Sequence, residues 1–465
     1  MKKFLKIFRP VYDNSVDALI PEKWALEGLV LLQENMVLGN LVNRNYKNEI
    51  ADYGQVVNID KPAAFTAKRK GTNDDVTVQN ANATTQPVAL NQHLHTTFLI
   101  RDSQMTMAFK DLVAYFLRPA IQSIASGADK AIAGFIPQFI ANNAGNLDGL
   151  TGNNSVSNIL SIRKKMNDNK VPLMGRNFLT TTATEATLLG LELFTAADKV
   201  GDQGTALREA SLGRKLGFDF FMGQNTPYVQ TGLTQRVLGG EINNASGYAI
   251  GSTTLVVDGF SAAILAGSFL TIEGSMYPYV VSSTVGGATP TQIVLVSGLR
   301  DAVVDNADIV IYTPVRVDLG AGYADGYVKE IHIDGFTSSP QIGQILRSAA
   351  GEIYTIMEIS NNTGTEADVL LNRPLAGALA DDAILGVGPG GSYNFAFTRD
   401  ALALVNRPLA LPMGNLAVAS VQEDNGLSLR VTITYDGVKQ GHLVTVDMLM
   451  GVAVLDAAQG AVLLA

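Results

Sequence analysis

A glycine-rich run late in the chain is the first candidate for a chemical site. The sequence GVGPGG, Gly386–Gly391, fits the G-x-G-x-x-G pattern of dinucleotide-binding loops. That pattern holds a pyrophosphate where a strand precedes it and a helix follows it, because the helix N-terminus supplies the amide donors. Here the strand-like SYNFAF follows and Pro389 interrupts the loop. We interpret the run as the exit from a β-domain and expect no cofactor.

Two histidines and a group of aspartates are the candidates for a metal site. His93 and His95 share one face of a predicted strand, a spacing that can hold a metal ion. No acid cluster completes a ligand set near them, so we interpret them as structural or interface residues. Asp301, Asp305 and Asp308 lack the spacing of a calcium loop and are typical of a solvated turn. The sequence therefore predicts no metal site.

Motifs of covalent or acid–base catalysis do not occur in the sequence. There is no nucleophile-elbow serine, P-loop or kinase signature, and no pair of carboxylates stands out as an acid–base couple. The chain has no cysteine, which excludes a disulfide framework and a thiolate zinc site. We predict that the protein is not an enzyme.

The composition favours a protein that covers its surface with copies of itself. The 465 residues are 47% hydrophobic and only 17% charged, against about a quarter charged in typical soluble domains. The net charge of −9 disfavours a dedicated nucleic-acid reader. The start, MKKFLKIFRP, is too short and broken to be a signal peptide, and no run approaches the ~18 apolar residues of a spanning helix. We expect a protein made in the cytoplasm, with no membrane partner.

Helical periodicity alternates with β-like segments along the chain. The helical predictions are residues 21–50 with Pro21 in the first turn, a short helix ending near Arg118, a long helix from Pro119, residues 155–167, and a helix capped by a Thr182–Glu185 box. Toward the C-terminus, two long strands are predicted with a turn at Asp436-Gly437.

A long hairpin is predicted between residues 53 and 100. The β-like runs GQVVNIDKP and VALNQHLHTTFLI flank polar sequence that contains the charged segment KRKGTNDD, Lys68–Asp75. A two-stranded ribbon is marginal alone. It must therefore pack against something, and a neighbouring subunit is one candidate.

An internal repeat occupies the Gly-, Thr- and Val-rich region after residue 245. Asp258-Gly259-Phe260 matches Asp334-Gly335-Phe336 at a separation of 76 positions, Tyr277 matches Tyr354, and Pro314 matches Pro389. Three anchors at nearly constant separation predict two tandem β-barrels or sandwiches of about 75 residues each. The α+β texture resumes after Ser392, so the pair is inserted into a host domain.

The host segments resemble the major capsid (coat) proteins of tailed bacteriophages, closest to the podovirus-type coat proteins with an insertion domain. The similar stretches are VVNIDKPAAFTAKRKG, VALNQHLHTTFLIRD with DLVAYFLRPAIQSIASGADKAI, LGRKLGFDFFMGQNTP, FAFTRDALALVNRPLALPMGN and LSLRVTITYDGVKQGHLVTVDMLMGVAVL. They cover roughly residues 20–230 and 393–460. Each stretch alone is only weakly similar to the family, and the order and spacing of the stretches make the resemblance specific. The insertion departs from the simplest family pattern, which has one inserted β-domain.

The resemblance implies an α+β capsid-protein fold with an N-terminal arm, an extended loop, a long spine helix, and peripheral and axial domains around an inserted tandem β-barrel or sandwich domain. The implied boundaries are 1–50 for the arm and helix, 51–100 for the extended loop, 101–169 for the peripheral domain with the spine helix, 170–244 for the first part of the axial domain, 245–392 for the insertion (repeats 245–318 and 319–392), and 393–465 for the returning strands.

The resemblance also implies the function and the partners. Copies would self-assemble into hexamers and pentamers of an icosahedral head that encloses phage DNA, with a scaffolding protein and a portal as partners and a decoration protein as a further one. Contact with the packaged DNA would be non-specific. The loop-tip charges that would meet an adjacent copy are Lys68, Arg69, Lys70, Asp74 and Asp75. Whether the insertion packs within the subunit, bridges subunits or decorates the exterior stays open.

Two other classes of protein fit part of the sequence. A secreted β-rich adhesin or surface-layer protein fits the tandem β modules, but it predicts a secretion signal and a β-dominated host. A hydrolase with accessory β modules needs a convergent acid, base and nucleophile within residues 100–230, and the sequence offers none there.

Overall fold

The computed structural model describes residues 21–45, 56–61, 65, 67–72, 75–76, 78–79, 84–102, 116–144, 154–195, 210, 212–229, 236–275, 277–326, 330–336, 338–412 and 417–465. The α-helices among them are α1 (Pro21–Asn35), α2 (Leu38–Leu41), α3 (Arg118–Ala133), α4 (Asn154–Asp168), α5 (Thr182–Leu189) and α6 (Glu192–Thr195). The 3₁₀ segments are Ile136–Asn142, Arg399–Ala401 and Ala457–Gln459.

The strands before the inserted region are β1 (Val56–Lys61), β2 (Thr84–Ala89), β3 (Gln92–Arg101), β4 (Asn143–Ala144), β5 (Arg176–Thr180), β6 (Arg214–Lys215), β7 (Phe218–Met222) and β8 (Tyr228–Val229). Those of the inserted region are β9 (Arg236–Ile242), β10 (Thr254–Asp258), β11 (Phe269–Ile272), β12 (Tyr279–Val285), β13 (Gln292–Leu295), β14 (Asp308–Tyr312), β15 (Val315–Val317), β16 (Ile331–Asp334), β17 (Ile345–Arg347), β18 (Ile353–Ser360), β19 (Glu366–Leu371) and β20 (Ile384–Val387). The remaining strands are β21 (Gly391–Thr398), β22 (Leu402–Arg407), β23 (Val418–Asp424), β24 (Leu427–Asp436), β25 (Gly441–Val454) and β26 (Gly460–Leu464).

The first helix is shorter than its periodicity predicts. It ends at Asn35, so the prediction of helix across residues 21–50 was wrong beyond that point, and residues after 45 lie outside the described part. The cause is Asp129, whose carboxylate accepts the backbone N–H groups of Val37 at 2.8 Å and Gly39 at 3.0 Å. Because these N–H groups bond to Asp129 and not to carbonyls of α1, helix α1 ends and the separate turn α2 begins.

The long helix and its successor are confirmed. Helix α3 begins at Arg118, directly after π-helical Phe116 and Leu117, and carries Pro119 as its second residue. Helix α4 matches the prediction of residues 155–167 within a residue at each end. The short helix predicted before Arg118 falls almost entirely outside the described residues.

The cap of α5 lies one residue earlier than the sequence suggests. Thr181, not Thr182, is the N-cap, and its hydroxyl accepts the N–H of Thr184 at 3.3 Å. The predicted box with Glu185 was wrong because Thr181 is the N-cap, which places Thr184 at the third helical position and Glu185 one residue further on. The Thr181 N–H donates to the Asn394 side chain at 2.8 Å.

The chain divides into two compact units. The first contains Met1–Asn35, His93–Ala125 and Asn406–Leu449. Its centre is the antiparallel meander of β23, β24 and β25, with hairpin turns after Asp424 and Asp436, as predicted for the second turn. Helix α1 packs on this sheet so closely that a Cβ on Gly28 would lie 2.8 Å from the side chains of Ile121 and Leu429.

The second unit contains Met36–Gln92, Ser126–Val405 and Met450–Ala465, and it includes one mixed sheet with its own apolar core. The strand order is β4-β26-β21-β5-β7-β6, and β8 pairs with the start of β21. Every residue of β21 is buried. The core packed against this sheet includes Ile159, Ile162 and Met166 of α4.

The inserted region forms two closed six-stranded barrels, which confirms the tandem β-barrels and the α+β class. The strand orders are β10-β13-β12-β11-β14-β9 for the first barrel and β15-β16-β19-β18-β17-β20 for the second. Each barrel encloses its own apolar core. Strand β9 begins at Arg236, before the boundary placed at 245, and β15 begins at Val315, before the one placed at 319.

The registers of the two barrels identify the equivalent residues. Gly259 and Gly335 both take a left-handed conformation, at φ +77° and +75°, after the equivalent aspartates. Tyr279 pairs with Leu270 in the first barrel as Tyr354 pairs with Leu346 in the second. The partner of Tyr354 is therefore Tyr279, and the match to Tyr277 was wrong.

Candidate assembly surfaces

The charged segment predicted at a hairpin tip lies between β1 and β2, which form a two-stranded ribbon. We call β1, β2 and the residues between them the arm. Strands β1 and β2 pair antiparallel from Val56–Ala89 to Lys61–Thr84. The charged residues lie beyond the Lys61–Thr84 pair. Lys68, Arg69, Lys70 and Asp75 are exposed, and Asp74 lies outside the described residues.

The base of the arm is held by its own subunit. Val57, Ile59 and Val88 are buried. A Cβ on Gly451 would lie 2.3 Å from the carbonyl oxygen of Ala89, so the end of β25 passes directly against β2. The base of the ribbon is thus packed on its own subunit, whereas the described charged residues between β1 and β2 are exposed.

Three large apolar side chains accompany the charges and were missed from the sequence. Phe65, Val76 and Val78 are 65%, 73% and 85% exposed. No hydrogen bond or ion pair joins the side chain of Lys68, Arg69 or Lys70 to another residue in the part of the chain that the structure describes. Apolar residues on both sides of a basic tip were the available signal, since nothing in a two-stranded ribbon can bury them.

The second barrel contacts the end of helix α3 within the same subunit. The Thr355 hydroxyl donates to the Gly134 carbonyl at 3.0 Å, and the Gln92 side chain donates to the Asn372 carbonyl at 2.9 Å. Gly134 has no side chain where Asn372 packs, since a Cβ there would lie 2.6 Å from the Asn372 Cβ. Arg373 adds a cation–π contact, 5.9 Å from the ring centre of Phe135.

The first barrel is joined to α4 and the 3₁₀ segment after α3. The Lys165 ammonium donates to the Tyr277 hydroxyl at 2.8 Å, and the Arg300 guanidinium lies 5.0 Å from the Tyr277 ring centre. Arg300 also donates to the carbonyl of Ala141. Both barrels therefore pack within the subunit, which is one of the three arrangements that the sequence left open.

The glycine-rich run Gly386–Gly391 serves packing. Gly386 belongs to β20 of the second barrel, and a Cβ there would lie 2.3 Å from the carbonyl oxygen of Gly267 in the first barrel. Gly391 opens strand β21, so a strand and not a helix follows the run. These residues bring the two barrels together and do not form a helix N-terminus for a phosphate.

The histidine pair on β3 has a structural explanation. His93 Nε2 lies 3.0 Å from the buried carboxylate of Asp447, which also accepts two hydrogen bonds from Arg430 at 2.9 and 2.5 Å. The ring of His95 lies 6.2 Å from that of His93 and is exposed. Asp447 thus has a permanent cation as partner and holds His93 in place.

The predicted aspartate turns bind backbone groups. Asp305 accepts the N–H of Asn244 at 2.8 Å, and Asp381 accepts the N–H of Leu319 at 3.0 Å at the equivalent place in the second barrel. Asp301 accepts the Ser275 hydroxyl at 3.1 Å. Across the described ranges, no group of three histidine, cysteine or acidic residues is placed to hold a metal ion. No helix within those ranges is long and apolar enough to cross a membrane.

Comparison with known proteins gives structural likeness only. No family model matches the chain, and no curated protein sequence matches it. Solved structures align over most of the chain at low identity. Examples are a structure from Mycobacterium phage Che8 (TM-score 0.42, 15% identity, 92% of this chain and 90% of that chain), the capsid of Cyanophage P-SCSP1u (0.42, 11%, 89% and 84%) and the capsid of Staphylococcus phage Andhra (0.39, 10%, 91% and 84%). At TM-scores below 0.5 this likeness by itself assigns the chain no function.

Proposed function

We propose that this chain is the major capsid protein of a tailed bacteriophage and that its copies form hexamers and pentamers of an icosahedral shell around the phage DNA. The arm carries the proposal. Its base is buried in its own subunit, while its far end exposes three cations and three large apolar side chains. Exposed apolar groups rimmed by charge are typical of interaction surfaces. The occupant we propose is a neighbouring copy of the chain.

The energetics suit an assembly built from many copies. Burying a Val or Phe side chain contributes about 1.5–3 kcal/mol, so three such residues supply a modest contact per arm. Lys68, Arg69, Lys70, Asp74 and Asp75 would set register and choice of partner more than affinity. Repeated around each copy, such contacts become stable together, and single contacts remain reversible while the shell grows.

The partners follow from the same proposal. A scaffolding protein would order the copies during growth, a portal would occupy one vertex, and a decoration protein would bind the finished exterior. The chain would reside in the virion after synthesis in the host cytoplasm. Its net charge of −9 suits a container that does not bind its DNA tightly.

The experiment is assembly of the purified full-length chain, followed by negative-stain electron microscopy and sedimentation velocity. Closed shells, sheets or tubes are expected, with scaffolding protein supplied if the chain alone stays monomeric. A monomer that fails to assemble with the scaffolding protein of its own phage would overturn the proposal.

Substitutions in the arm sharpen the test. We expect Lys68→Glu, Arg69→Glu and Lys70→Glu together to leave the subunit folded and to abolish normal shells, because the tip would then present the opposite charge to its neighbour. Changing Phe65, Val76 and Val78 to Ser should weaken assembly in the same assay through lost apolar burial.

A charge-matched control separates the arm from net charge. Arg118, Lys164 and Lys439 are also exposed, and changing these three to Glu alters the net charge by the same amount. This control should keep normal shells. Normal shells from the Lys68, Arg69 and Lys70 variant would remove the arm contact from the proposal.

A further inference from the structure

The second barrel carries a histidine surrounded by carboxylates, which we call the His332 cluster (His332, Asp318, Glu366 and Asp368). His332 Nδ1 lies 2.6 Å from an Asp368 oxygen, and its Nε2 lies 3.8 Å from Asp318 and 3.9 Å from Glu366. The other Asp368 oxygen accepts the Asn361 side chain at 2.6 Å. One imidazolium can therefore serve three carboxylates, two on the neighbouring strand β19 and one in the loop after β15.

Further charged groups lie beside the cluster on the same sheet. Asp334 follows on β16, and Arg316 of β15 is its cross-strand neighbour. Arg316 Nη1 lies 3.8 Å from Asp382. Arg316 thus has acidic neighbours of its own, which leaves His332 as the group whose proton sets the charge balance among Asp318, Glu366 and Asp368.

The first barrel provides a built-in comparison, because the equivalent positions carry no titrating cation. The β10–β13 register places Val256 opposite Gln292, where the β16–β19 register places His332 opposite Asp368. One backbone hydrogen bond recurs at these positions in the two barrels. The N–H of Val256 donates to the Tyr248 hydroxyl at 2.7 Å, and the N–H of His332 donates to the Tyr323 hydroxyl at 2.7 Å.

We propose that the second barrel is a pH-responsive module in which protonated His332 holds β16, β19 and the loop after β15 together, and that loss of this proton loosens that face while the first barrel stays unchanged. Neutral His332 leaves the Asp318 and Glu366 carboxylates beside each other without a cation. Mutual repulsion then acts on the segments that carry them.

The direction of the pH dependence follows from the contacts. The hydrogen bond to Asp368 is the largest cause that raises the pKa of His332 above 6.5, and Asp318 and Glu366 add to it. A histidine whose pKa is raised by folding contributes stability that is fully present below its pKa in the unfolded chain. That stability is lost as pH rises through its pKa in the folded chain. The pKa of Asp368 is lowered by Asn361 and His332, so its contribution is lost only in acid, below about 3.8.

Hydrogen exchange of the full-length chain, followed by mass spectrometry, tests the proposal in EDTA from pH 5.5 to pH 9. EDTA removes trace divalent ions, so that any pH dependence reports protons alone. After correction for intrinsic exchange, peptides that cover β16 and β19 should lose protection as pH rises above 6.5. Peptides that cover β10 and β13 should keep theirs. The same profile in both barrels would overturn the proposal.

Two variants identify the proton. His332→Gln should give the high-pH level of exchange at every pH, and His95→Gln, which lies on β3 outside both barrels, should leave the profile unchanged. If His332→Gln does not fold, Asp368→Asn replaces it. This variant removes the strongest partner of the imidazolium, so the midpoint of the loss should shift to lower pH. An unshifted midpoint would assign the transition to another group.

Discussion

At Gly134 the chain passes so close to the second barrel that a side chain has no room. Its position follows α3, its carbonyl accepts the Thr355 hydroxyl, and the Asn372 side chain lies over its Cα. A glycine after a helix is usually attributed to a left-handed cap. Gly134 is not among the residues with positive φ, so close approach is the reason for glycine here.

Gly134→Ala should therefore destabilise the subunit. The added methyl group would lie 2.6 Å from the Asn372 Cβ, which cannot rotate away. Overpacking of this kind costs about 1–3 kcal/mol, so a denaturant titration should shift to a lower midpoint at unchanged slope.

Gly320→Ala is the matched control for this loss. Gly320 lies in the second barrel, which Gly134 contacts. It has open space within 4 Å of the point where a Cβ would lie, and it has no positive φ. This variant should be neutral or slightly stabilising through the unfolded chain. Equal losses in the two variants would contradict the close-packing explanation.

The structural roles of single residues were predicted correctly where the internal repeat constrained them. They were missed where contacts between distant segments determine the role. The Asp-Gly-Phe anchors were found because a left-handed glycine recurs at the same place in each barrel. Tyr277 was matched wrongly because two tyrosines lie close together. Only the strand register shows that Tyr279 enters the barrel core while Tyr277 contacts Lys165 and Arg300. The His332 cluster was invisible because its members are brought together by strand pairing.

Among the elements, α5 begins one residue away from the cap that its sequence suggests. The sequence predicts Thr182 as the N-cap, whereas the N-cap in the structure is Thr181, whose own N–H donates to the Asn394 side chain of β21. The helix then begins at Thr182, with the Thr181 hydroxyl bonded to the Thr184 N–H. Helices α3 and α4 were predicted better, because their periodicity reflects burial directly.

Thr181→Ala should lower the free energy of unfolding by about 1 kcal/mol, the usual cost of losing an N-cap side chain. Thr182→Ala should change it little, because Thr182 is exposed and is the first helical residue. Chemical denaturation of both variants distinguishes the two caps. A larger loss for Thr182→Ala would restore the box predicted from the sequence.

For the whole molecule, the two barrels are both an insertion and part of the packing of the host unit. Strand β8, which precedes them, pairs with β21, which follows them, and Val229 is the register partner of Gly391. The ends of the inserted region are therefore neighbours across one strand pair. The sequence showed the insertion through its repeat, whereas the contacts at Gly134, Gln92 and Lys165 became visible only in the fold.

Replacing residues 230–390 with Asn-Gly should leave the rest of the chain folded but less stable. The new turn would join Val229 to Gly391 as a two-residue hairpin, for which Asn-Gly is the preferred sequence. The seven-stranded sheet keeps all its strands, since none of them belongs to a barrel. The loss should come from the uncovered end of α3, where Phe135 is buried in the intact chain.

Thermal unfolding monitored by circular dichroism, with hydrogen exchange of β5 and β21, measures both parts of this expectation. A cooperative transition at lower temperature and protected β5 and β21 amides should be seen. A Gly-Gly turn in place of Asn-Gly is the control and should fold with lower stability, because it leaves the unfolded chain more freedom. Loss of any cooperative transition in both variants would mean that the barrels are required for folding of the host and are not a removable insertion.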